Sequence, residues 1–440
     1  MGRASDLSVT RRAVRRLTLT LTLVLVLGLA ACNAEGAASQ GADLGGDAAS
    51  TDGAAATLSD GTQDGAGTAT GADGQGSAVD GGDSASATTA ETFAIGVTTI
   101  EVMGAANRKL PVEIWYPCVA TPGAAAATYA FGLASSPHGA VRDATPLPGK
   151  RKLILFSHGN GGIREQSVFL TEWLARHGFV VASPEHVGNA TLNRDSKLTP
   201  AMPLWRPQDI RATVDHLAAA PRGADPKWLP DVIDATTYAV MGHSFGGFTS
   251  LALAGVLVQV PPSFDVDCSG ANAPQPVCGA IAAAGPLPWD LRDPRCVLAV
   301  PMAPAGYGWK MFEKIKPDAA LPPIVIMGAT GDEITPAATE QTPLYQDLPG
   351  PAALLLVEGS NHFVFSDICA LEKVLPASFK SRLGDLCTPT HVPPLAEVHA
   401  VVADRALAAA RLWLAGDANA ATALKAPVGP GFSLQHKNIP

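Results

Sequence analysis

Short apolar runs alternate with amphipathic stretches from residue 93 to the C-terminus, and this alternation constrains the fold more than any other feature of the chain. Most of the apolar runs are continuous, as is typical of parallel strands that are buried on both faces. Helices that alternate with such strands pack on both faces of one sheet. The sequence therefore predicts an α/β fold with a mostly parallel central sheet flanked by helices on both faces.

The individual elements follow from the same pattern. The predicted strands are residues 110–116, 152–156, 179–182, 238–241, 297–300, 324–327 and 354–357. The predicted helices are residues 165–176, 207–217, 248–256 and 397–414, with Pro207 in the first helical turn, where proline is tolerated. Three segments do not fit the alternation and are expected to form loops or caps over one end of the sheet: residues 119–149, 187–206 and 258–296.

The N-terminal segment has the composition of a leader and a tether. Five arginines precede a 13-residue apolar run at residues 17–29, which would span only about 20 Å as a helix, too short for a bilayer. A basic segment, a short apolar run and small residues are typical of a secretory signal peptide, here residues 1–31. Residues 32–92 consist mainly of small and acidic residues, which cannot bury enough apolar surface to fold. One folded domain is predicted for residues 93–440.

The last residues of the leader (29–32, LAAC) resemble the lipobox of bacterial lipoprotein precursors, in which the cysteine is diacylated and becomes the first mature residue. The resemblance implies a lipid anchor on Cys32 and a cell-envelope location. Asn33 follows the cysteine, which in Gram-negative lipoproteins implies sorting to the outer membrane. Ordinary secretion, with Cys32 incidental, is the alternative.

The charge distribution bears on the partners of the chain. The formal net charge is −9, from 31 basic and 40 acidic residues, and residues 33–92 hold ten acids and no base. The acidity therefore belongs mainly to the tether. No basic surface for a nucleic acid is expected.

Cysteine usage agrees with export. Besides Cys32 the chain has six cysteines, an even number that favours three disulfides in an oxidising compartment. Six cysteines allow 15 pairings. The candidates closest in sequence are Cys268 with Cys278 and Cys369 with Cys387, which leaves Cys118 with Cys296 by elimination. No C-x-x-C pair or histidine cluster has the spacing of a metal site, so no metal or other cofactor is predicted.

The sharpest chemical signal is residues 242–247 (GHSFGG), which lie between a predicted strand and a predicted helix. A G-x-S-x-G segment in this context is the nucleophile elbow, a sharp turn that exposes the serine hydroxyl. Glycine-rich strand-to-helix turns also bind nucleotides, but the G-x-G-x-x-G pattern and the lysine of such sites are absent. Ser244 is therefore the predicted nucleophile.

A serine nucleophile needs a histidine base and an acid. In folds that carry a G-x-S-x-G elbow, the acid follows the serine along the chain and the histidine follows the acid. His362 follows the strand at 354–357, and Asp332 follows the strand at 324–327, so these two are the predicted base and acid. Glu333, next to Asp332, is the alternative acid. The other histidines are interpreted as structural, and His158 and His186 as possible pocket-lining residues that take no proton.

Acyl transfer also needs donors for the oxygen that becomes negative. The backbone amide of Phe245, directly after the nucleophile, is one predicted donor. The other is expected in the compact loop after the strand at 152–156 (residues 157–162, SHGNGG), where Asn160 is the candidate. The alternative is that these glycines only shape a turn.

Residues 109–117 (KLPVEIWYP), the loop at 156–159 (FSHG) and the elbow together resemble secreted α/β-hydrolases called predicted dienelactone hydrolases, which are related to the plasma-type platelet-activating-factor acetylhydrolases. The resemblance spans roughly residues 93–415. It implies an α/β-hydrolase fold with Ser244 as the acylated nucleophile, His362 as the base, and Asn160 and Phe245 as amide donors.

Two departures qualify the resemblance. In the acetylhydrolases the acid follows the preceding strand, which here ends in residues 300–304 (VPMAP) without a carboxylate, so Asp332 is assigned instead. True dienelactone hydrolases use a cysteine where this chain has Ser244, so that family name does not identify the substrate.

The resulting prediction is a serine hydrolase of carboxylic esters. Short acyl or lipid-derived esters rank first as substrates, extracellular polyesters or long-chain lipids second, and amides third. A binding module that keeps the hydrolase fold without turnover is the alternative from another class, because a fold alone does not establish function. The sequence does not specify the oligomeric state.

Overall fold

The structure is a computed structural model that describes residues 92–130, 132–219, 226–261, 264, 266–269, 273–369 and 393–440. The predicted signal peptide, Cys32, the tether up to residue 91, and Cys387 lie outside the described residues.

Twelve strands are present in the described chain. They are β1 (Ala94–Met103), β2 (Lys109–Cys118), β3 (Thr128–Tyr129), β4 (Ala134–Ser135), β5 (Val141–Arg142), β6 (Arg151–Ser157), β7 (Val180–Pro184), β8 (Ile233–His243), β9 (Cys296–Met302), β10 (Ile324–Ala329), β11 (Ala352–Val357) and β12 (Phe432–Lys437). Ten of them form one sheet in the order β12-β11-β10-β9-β8-β6-β7-β2-β1-β5, and β3 pairs with β4.

The centre of the sheet is parallel. Strands β7, β6, β8, β9, β10 and β11 pair in parallel in that order. Antiparallel pairing is found toward the two edges, where β2 joins β7 and β1 on one side and β12 joins β11 on the other. The carboxyl ends of the six parallel strands therefore meet at one edge, which is where ligands bind in open α/β sheets.

Eight helices are described. They are α1 (Val168–Arg176), α2 (Met202–Ala219), α3 (Leu229–Val232), α4 (Phe245–Ala254), α5 (Gln275–Ala284), α6 (Gln341–Asp347), α7 (Leu395–Trp413) and α8 (Ala420–Lys425). The chain also has 3₁₀ turns at Ala105–Asn107, Ser196–Ala201 and His362–Phe365. None of the described helices has the length and hydropathy required to cross a bilayer.

Each face of the sheet has its own hydrophobic core. Helices α2, α4 and α6 contribute to one core, and helices α1, α7 and α8 contribute to the other. Side chains of a strand alternate between the two, so that Leu153 and Leu155 of β6 join the first core and Ile154 and Phe156 join the second. This double burial explains the continuous apolar runs of the sequence.

The predicted strands are all present. Six of them contain the whole predicted range, and the strand predicted at 179–182 lies at Val180–Pro184. The prediction for α2 was wrong in one respect. The helix begins at Met202, and Pro207 lies inside it and not in its first turn. Pro207 removes one backbone hydrogen bond from the helix, but the buried side chains of Leu204 and Trp205 stabilise the extra turn. The segment at 187–206, expected as a loop, therefore includes a 3₁₀ turn and the start of a helix.

The cysteine pairing was predicted correctly in part. Cys268 and Cys278 form a disulfide. Cys369 is also disulfide-bonded, and its expected partner Cys387 lies outside the described residues.

The expected pair of Cys118 with Cys296 was wrong, because both are free, buried thiols. Cys118 ends β2 and Cys296 begins β9, and these strands are separated by β7, β6 and β8 in the sheet. Four strand spacings amount to about 19 Å, whereas disulfide-bonded residues have Cα atoms no more than about 7 Å apart.

Candidate active site

Ser244 lies on a sharp turn between β8 and α4. Its backbone has φ 58° and ψ −116°, a conformation that is rare for a residue with a side chain and that concentrates at functional sites. The turn depends on its glycines. A Cβ atom on Gly246 would lie 1.8 Å from the carbonyl oxygen of Ser157, and one on Gly242 would lie 2.4 Å from the carbonyl oxygen of Gly246. The segment thus has the sharp strand-to-helix turn of a nucleophile elbow, and Ser244 remains the predicted nucleophile.

Asp332 and His362 form a direct pair at the same edge of the sheet. Asp332 follows β10, His362 follows β11, and His362 Nδ1 lies 2.7 Å from Asp332 Oδ2. The Asp332 and His362 side chains are 0% and 5% exposed, which shields the pair from water. Glu333, the alternative acid of the sequence analysis, is exposed.

The carboxylate of Asp332 is held by a turn of its own loop. Its Oδ1 accepts hydrogen bonds from the amides of Ile334 and Thr335, each 2.8 Å long, and its Oδ2 accepts one from Thr335 Oγ1 at 2.7 Å. Burial opposes the charge of Asp332, but the neighbouring His362 and these hydrogen bonds outweigh it and lower the pKa of Asp332 below its usual value. Asp332 is therefore an ionised acceptor that fixes His362 with its proton on Nδ1.

The Ser244 segment and the Asp332–His362 pair are joined through the loop after β9. The amide of Ala305 donates to the Ser244 carbonyl oxygen at 3.2 Å, and Thr335 Oγ1 lies 3.1 Å from the Ala303 carbonyl oxygen. No direct hydrogen bond links the described side chains of Ser244 and His362, a contact that often tightens only when substrate binds.

The two predicted amide donors have the features of an oxyanion hole. Phe245 is the first residue of α4, and in the described part of the chain neither its amide nor the amide of Asn160 has a hydrogen-bond partner. The loop of Asn160 runs beside the nucleophile, since a Cβ atom on Gly159 would lie 3.5 Å from Ser244 Cβ. Two unsatisfied amides beside one hydroxyl suit a developing negative charge.

A chain of hydrogen bonds crosses the site through Gln166, His243 and the backbone of His362. The sequence analysis did not predict this bridge. Gln166 Oε1 accepts from the Gly159 amide at 2.8 Å, and Gln166 Nε2 donates to His243 Nδ1 at 2.9 Å. His243 Nε2 in turn donates to the His362 carbonyl oxygen at 2.8 Å. Burial, with a smaller effect of His362, lowers the pKa of His243 to about 3, so this ring is neutral and keeps one donor and one acceptor.

The sequence analysis offered His158 and His186 as residues that could line the pocket. The structure does not support this, because neither side chain is exposed. Both are fully buried, His158 in the loop after β6 and His186 in the loop after β7, and their burial lowers the pKa of each well below its usual value. His158 Nε2 accepts from the His186 amide at 3.0 Å, and His186 Nδ1 lies 3.0 Å from Asp209 Oδ2. They belong to a buried polar network. Within the described residues, no group of three or more His, Cys, Asp or Glu side chains is arranged to hold a metal ion.

Parts of the chain are similar to known proteins. The family profile for platelet-activating factor acetylhydrolase, isoform II, matches residues 126–196, which include Asn160 but not Ser244. Cutinase est2 of Thermobifida alba is 28% identical over 213 residues, covering 48% of this chain and 52% of the relative. A cutinase of Thermobifida fusca is 27% identical over the same length, with the same coverage. The chain thus spans about half the length of the curated relatives it matches.

The overall architecture matches a solved structure over most of its length. A ferulic acid esterase from Streptomyces cinnamoneus superposes with a TM-score of 0.54 and 22% sequence identity, covering 80% of this chain and 98% of that chain. The chain has an α/β-hydrolase fold. Its strand-to-helix turn at Ser244 and its acid–histidine pair lie at the carboxyl edge of the sheet, which is where this fold carries a catalytic site.

Proposed function

We propose that this α/β-hydrolase cleaves carboxylic esters through a serine acyl-enzyme mechanism. The contact that carries the proposal is the buried hydrogen bond between Asp332 and His362 at the carboxyl edge of the sheet that also presents the strained Ser244. A hydroxyl is a weak nucleophile, and an oriented histidine with an ionised acid behind it is the arrangement that activates one.

The proposed steps begin with attack on the ester carbonyl. His362 Nε2 accepts the Ser244 proton while Ser244 Oγ bonds to the carbonyl carbon, and Asp332 stabilises the resulting imidazolium. The tetrahedral intermediate then collapses, the C–O bond to the alcohol breaks, and His362 returns the proton to the departing alkoxide. Water, activated by the same histidine, hydrolyses the acyl-enzyme and releases the acid.

The amides of Phe245 and Asn160 are the proposed donors to the negative oxygen. Each is a fixed dipole on the backbone, so it needs no reorganisation during the reaction. The N-terminal end of α4, where Phe245 lies, adds a favourable dipole for negative charge.

The names of the relatives support the proposed substrate class. Cutinase, ferulic acid esterase and platelet-activating factor acetylhydrolase are named for ester hydrolysis, and together they favour an ester over an amide. We place short acyl or lipid-derived esters first and extracellular polyesters second; the cutinase similarity supports the second.

We propose that the protein acts outside the cytoplasm. The disulfide between Cys268 and Cys278 supports an oxidising compartment, and residues 1–31 have the pattern of an export signal. Attachment to the cell envelope through a lipid on Cys32 is the proposed anchoring, with simple secretion as the alternative.

A chain-length series tests the proposal. Full-length protein is assayed on p-nitrophenyl esters from acetyl to palmitoyl, beside Ser244→Ala and the control Ser183→Ala, which alters a buried serine whose hydroxyl has no hydrogen-bond partner. The expected result is turnover that is lost in Ser244→Ala and retained in Ser183→Ala. Absence of turnover from folded protein, together with no fluorophosphonate labelling, would instead support a non-catalytic binding module.

A further inference from the structure

Arg206 is a fully buried arginine that takes no part in the proposed chemistry. It lies on α2 and is 0% exposed. No carboxylate of the described chain forms an ion pair with it; its four hydrogen bonds go to neutral oxygens of Ser157, His158, Asn189 and Thr249. A buried guanidinium costs several kcal/mol to desolvate, and Arg206 directs four of its five N–H donors to one small region of the structure.

The Nη atoms of the Arg206 guanidinium hold the loop that contains Asn160. Arg206 Nη2 donates to the His158 carbonyl oxygen, two residues before Asn160. Arg206 Nη1 donates to Asn189 Oδ1 at 2.7 Å, and Asn189 Nδ2 donates to Asn160 Oδ1 at 2.7 Å. Asn189 also accepts the Gly161 amide on its carbonyl oxygen at 3.0 Å. The guanidinium thus contacts the start of the segment 158–161 directly and its end through Asn189.

The Nε atom of Arg206 is linked to the first turn of α4. Arg206 Nε donates to Thr249 Oγ1 at 3.2 Å, and Thr249 Oγ1 donates to the Phe245 carbonyl oxygen at 2.9 Å. The guanidinium carbon also lies 4.8 Å from the centroid of the Phe245 ring, within the range of a cation–π contact. Arg206 therefore contacts the ring of Phe245 directly and its carbonyl oxygen through the Thr249 hydroxyl.

We propose that Arg206 is a positioning residue that sets the amides of Asn160 and Phe245 relative to one another and so shapes the oxyanion hole. This inference rests on the proposed function, because Arg206 sets the geometry of the oxyanion hole that the proposed reaction requires. No other described residue has hydrogen bonds leading to both donor segments in this way.

The charge of Arg206 is retained at neutral pH. Burial lowers the pKa of Arg206 to about 9, although the negative charge of Asp209 acts in the opposite direction. Asp209 is itself paired with Arg108 at 2.6 Å. Lysine would keep a positive charge but offers three donors from a single nitrogen, which cannot reach both segments at once.

The test compares Arg206→Lys with Arg211→Lys in the full-length protein. Arg211 is a matched control because it lies on the same helix and donates to backbone carbonyls of Leu291 and Arg292, away from the site. For each variant we would measure kcat and KM on a p-nitrophenyl ester, the melting temperature, and inhibition by an alkyl trifluoromethyl ketone. The ketone adds to the serine and places an oxyanion in the hole.

For Arg206→Lys the expected result is a kcat lower by about 10- to 100-fold with KM changed less than about twofold, because displaced donors weaken only the transition state. The inhibition constant of the ketone should rise by the same factor as kcat/KM falls. Arg211→Lys should leave both constants unchanged even where its melting temperature falls.

Asn189→Ala serves as the second variant if Arg206→Lys does not fold, since it removes only the link between Arg206 and Asn160. Unchanged kcat and ketone inhibition in whichever of the two variants folds would overturn this inference alone. If the unmodified protein neither hydrolyses esters nor reacts with a fluorophosphonate, the proposed function fails and the inference fails with it.

Discussion

Asp332 Oδ2 lies 2.7 Å from His362 Nδ1, and both side chains are buried. They come from loops after adjacent parallel strands, β10 and β11, which pair residue for residue from Ile324 with Ala352 to Ala329 with Val357. The register of the sheet thus sets the distance between the acid and the base.

Asp332→Asn should abolish most of the activity while leaving the fold in place. An amide can donate to His362 Nδ1 and so favours the wrong tautomer, which leaves no acceptor for the Ser244 proton. We expect kcat to fall by about 10³- to 10⁴-fold, measured on a p-nitrophenyl ester. Asp293→Asn, which removes a buried carboxylate paired with Arg295, is the control; an equal loss of kcat there would contradict the assignment.

Gln166→Leu should slow turnover while leaving the hydrogen bond between Asp332 and His362 in place. The substitution removes the bridge from the Gly159 amide through His243 to the His362 carbonyl oxygen. We expect kcat to fall by about tenfold or more, because small displacements of catalytic groups are costly. A variant with normal melting temperature and unchanged kcat would show that the bridge has no positioning effect.

Cys118 and Cys296 should react only in unfolded protein. Burial raises the pKa of Cys118 to about 11 and that of Cys296 to about 12, and the thiolate is the reactive form. Iodoacetamide at pH 8 should therefore label both thiols after denaturation without reductant, and neither in the native protein. A tryptic peptide that links Cys118 to Cys296 would contradict the free thiols of the structure.

Glu340→Gln should make stability less dependent on pH. Glu340 Oε2 accepts from the amides of Gly306 and Gly308 in the loop after β9, whose Ala305 amide donates to the Ser244 carbonyl oxygen. Burial nevertheless raises the pKa of Glu340 to about 7. The folded state then binds more protons than the unfolded state between about pH 4.5 and 7, so stability should fall as pH rises through this range.

Melting temperatures from pH 4.5 to 8 check this dependence. The wild-type melting temperature should drop more steeply with rising pH than that of Glu340→Gln, and the variant should gain relative stability at pH 8. Glu358→Gln, at an exposed position, should retain the wild-type slope. Parallel curves for wild type and Glu340→Gln would contradict the buried, protonated state of Glu340.

Much of the fold was predictable because its strands carry a local signal. Continuous apolar runs identified six of the predicted strands and alternation identified the strand at 110–116, and the chain order of Ser244, Asp332 and His362 located residues on loops after three of them. Strand β12 was missed because its sequence, FSLQHK, has only two apolar side chains. The start of α2 was missed because burial of Trp205 outweighs the local effect of Pro207.

The supporting residues of the site were not predictable in the same way. Arg206 contacts Thr249 and Asn189, and Gln166 contacts His243, across separations of 17 to 77 residues that no local pattern records. Thr335 is the exception, since a threonine three residues after Asp332 forms a short turn that a sequence can indicate. Pairing Cys118 with Cys296 by elimination failed because it ignored the strand order.

The most direct test of the account is the site of covalent modification. Full-length protein is treated with a fluorophosphonate and digested, and the modified residue is located by mass spectrometry in wild type and His362→Ala. The account predicts one adduct, on Ser244, formed at a rate that falls by orders of magnitude in His362→Ala. No adduct on Ser244 in active protein, or an equal rate in both proteins, would contradict it.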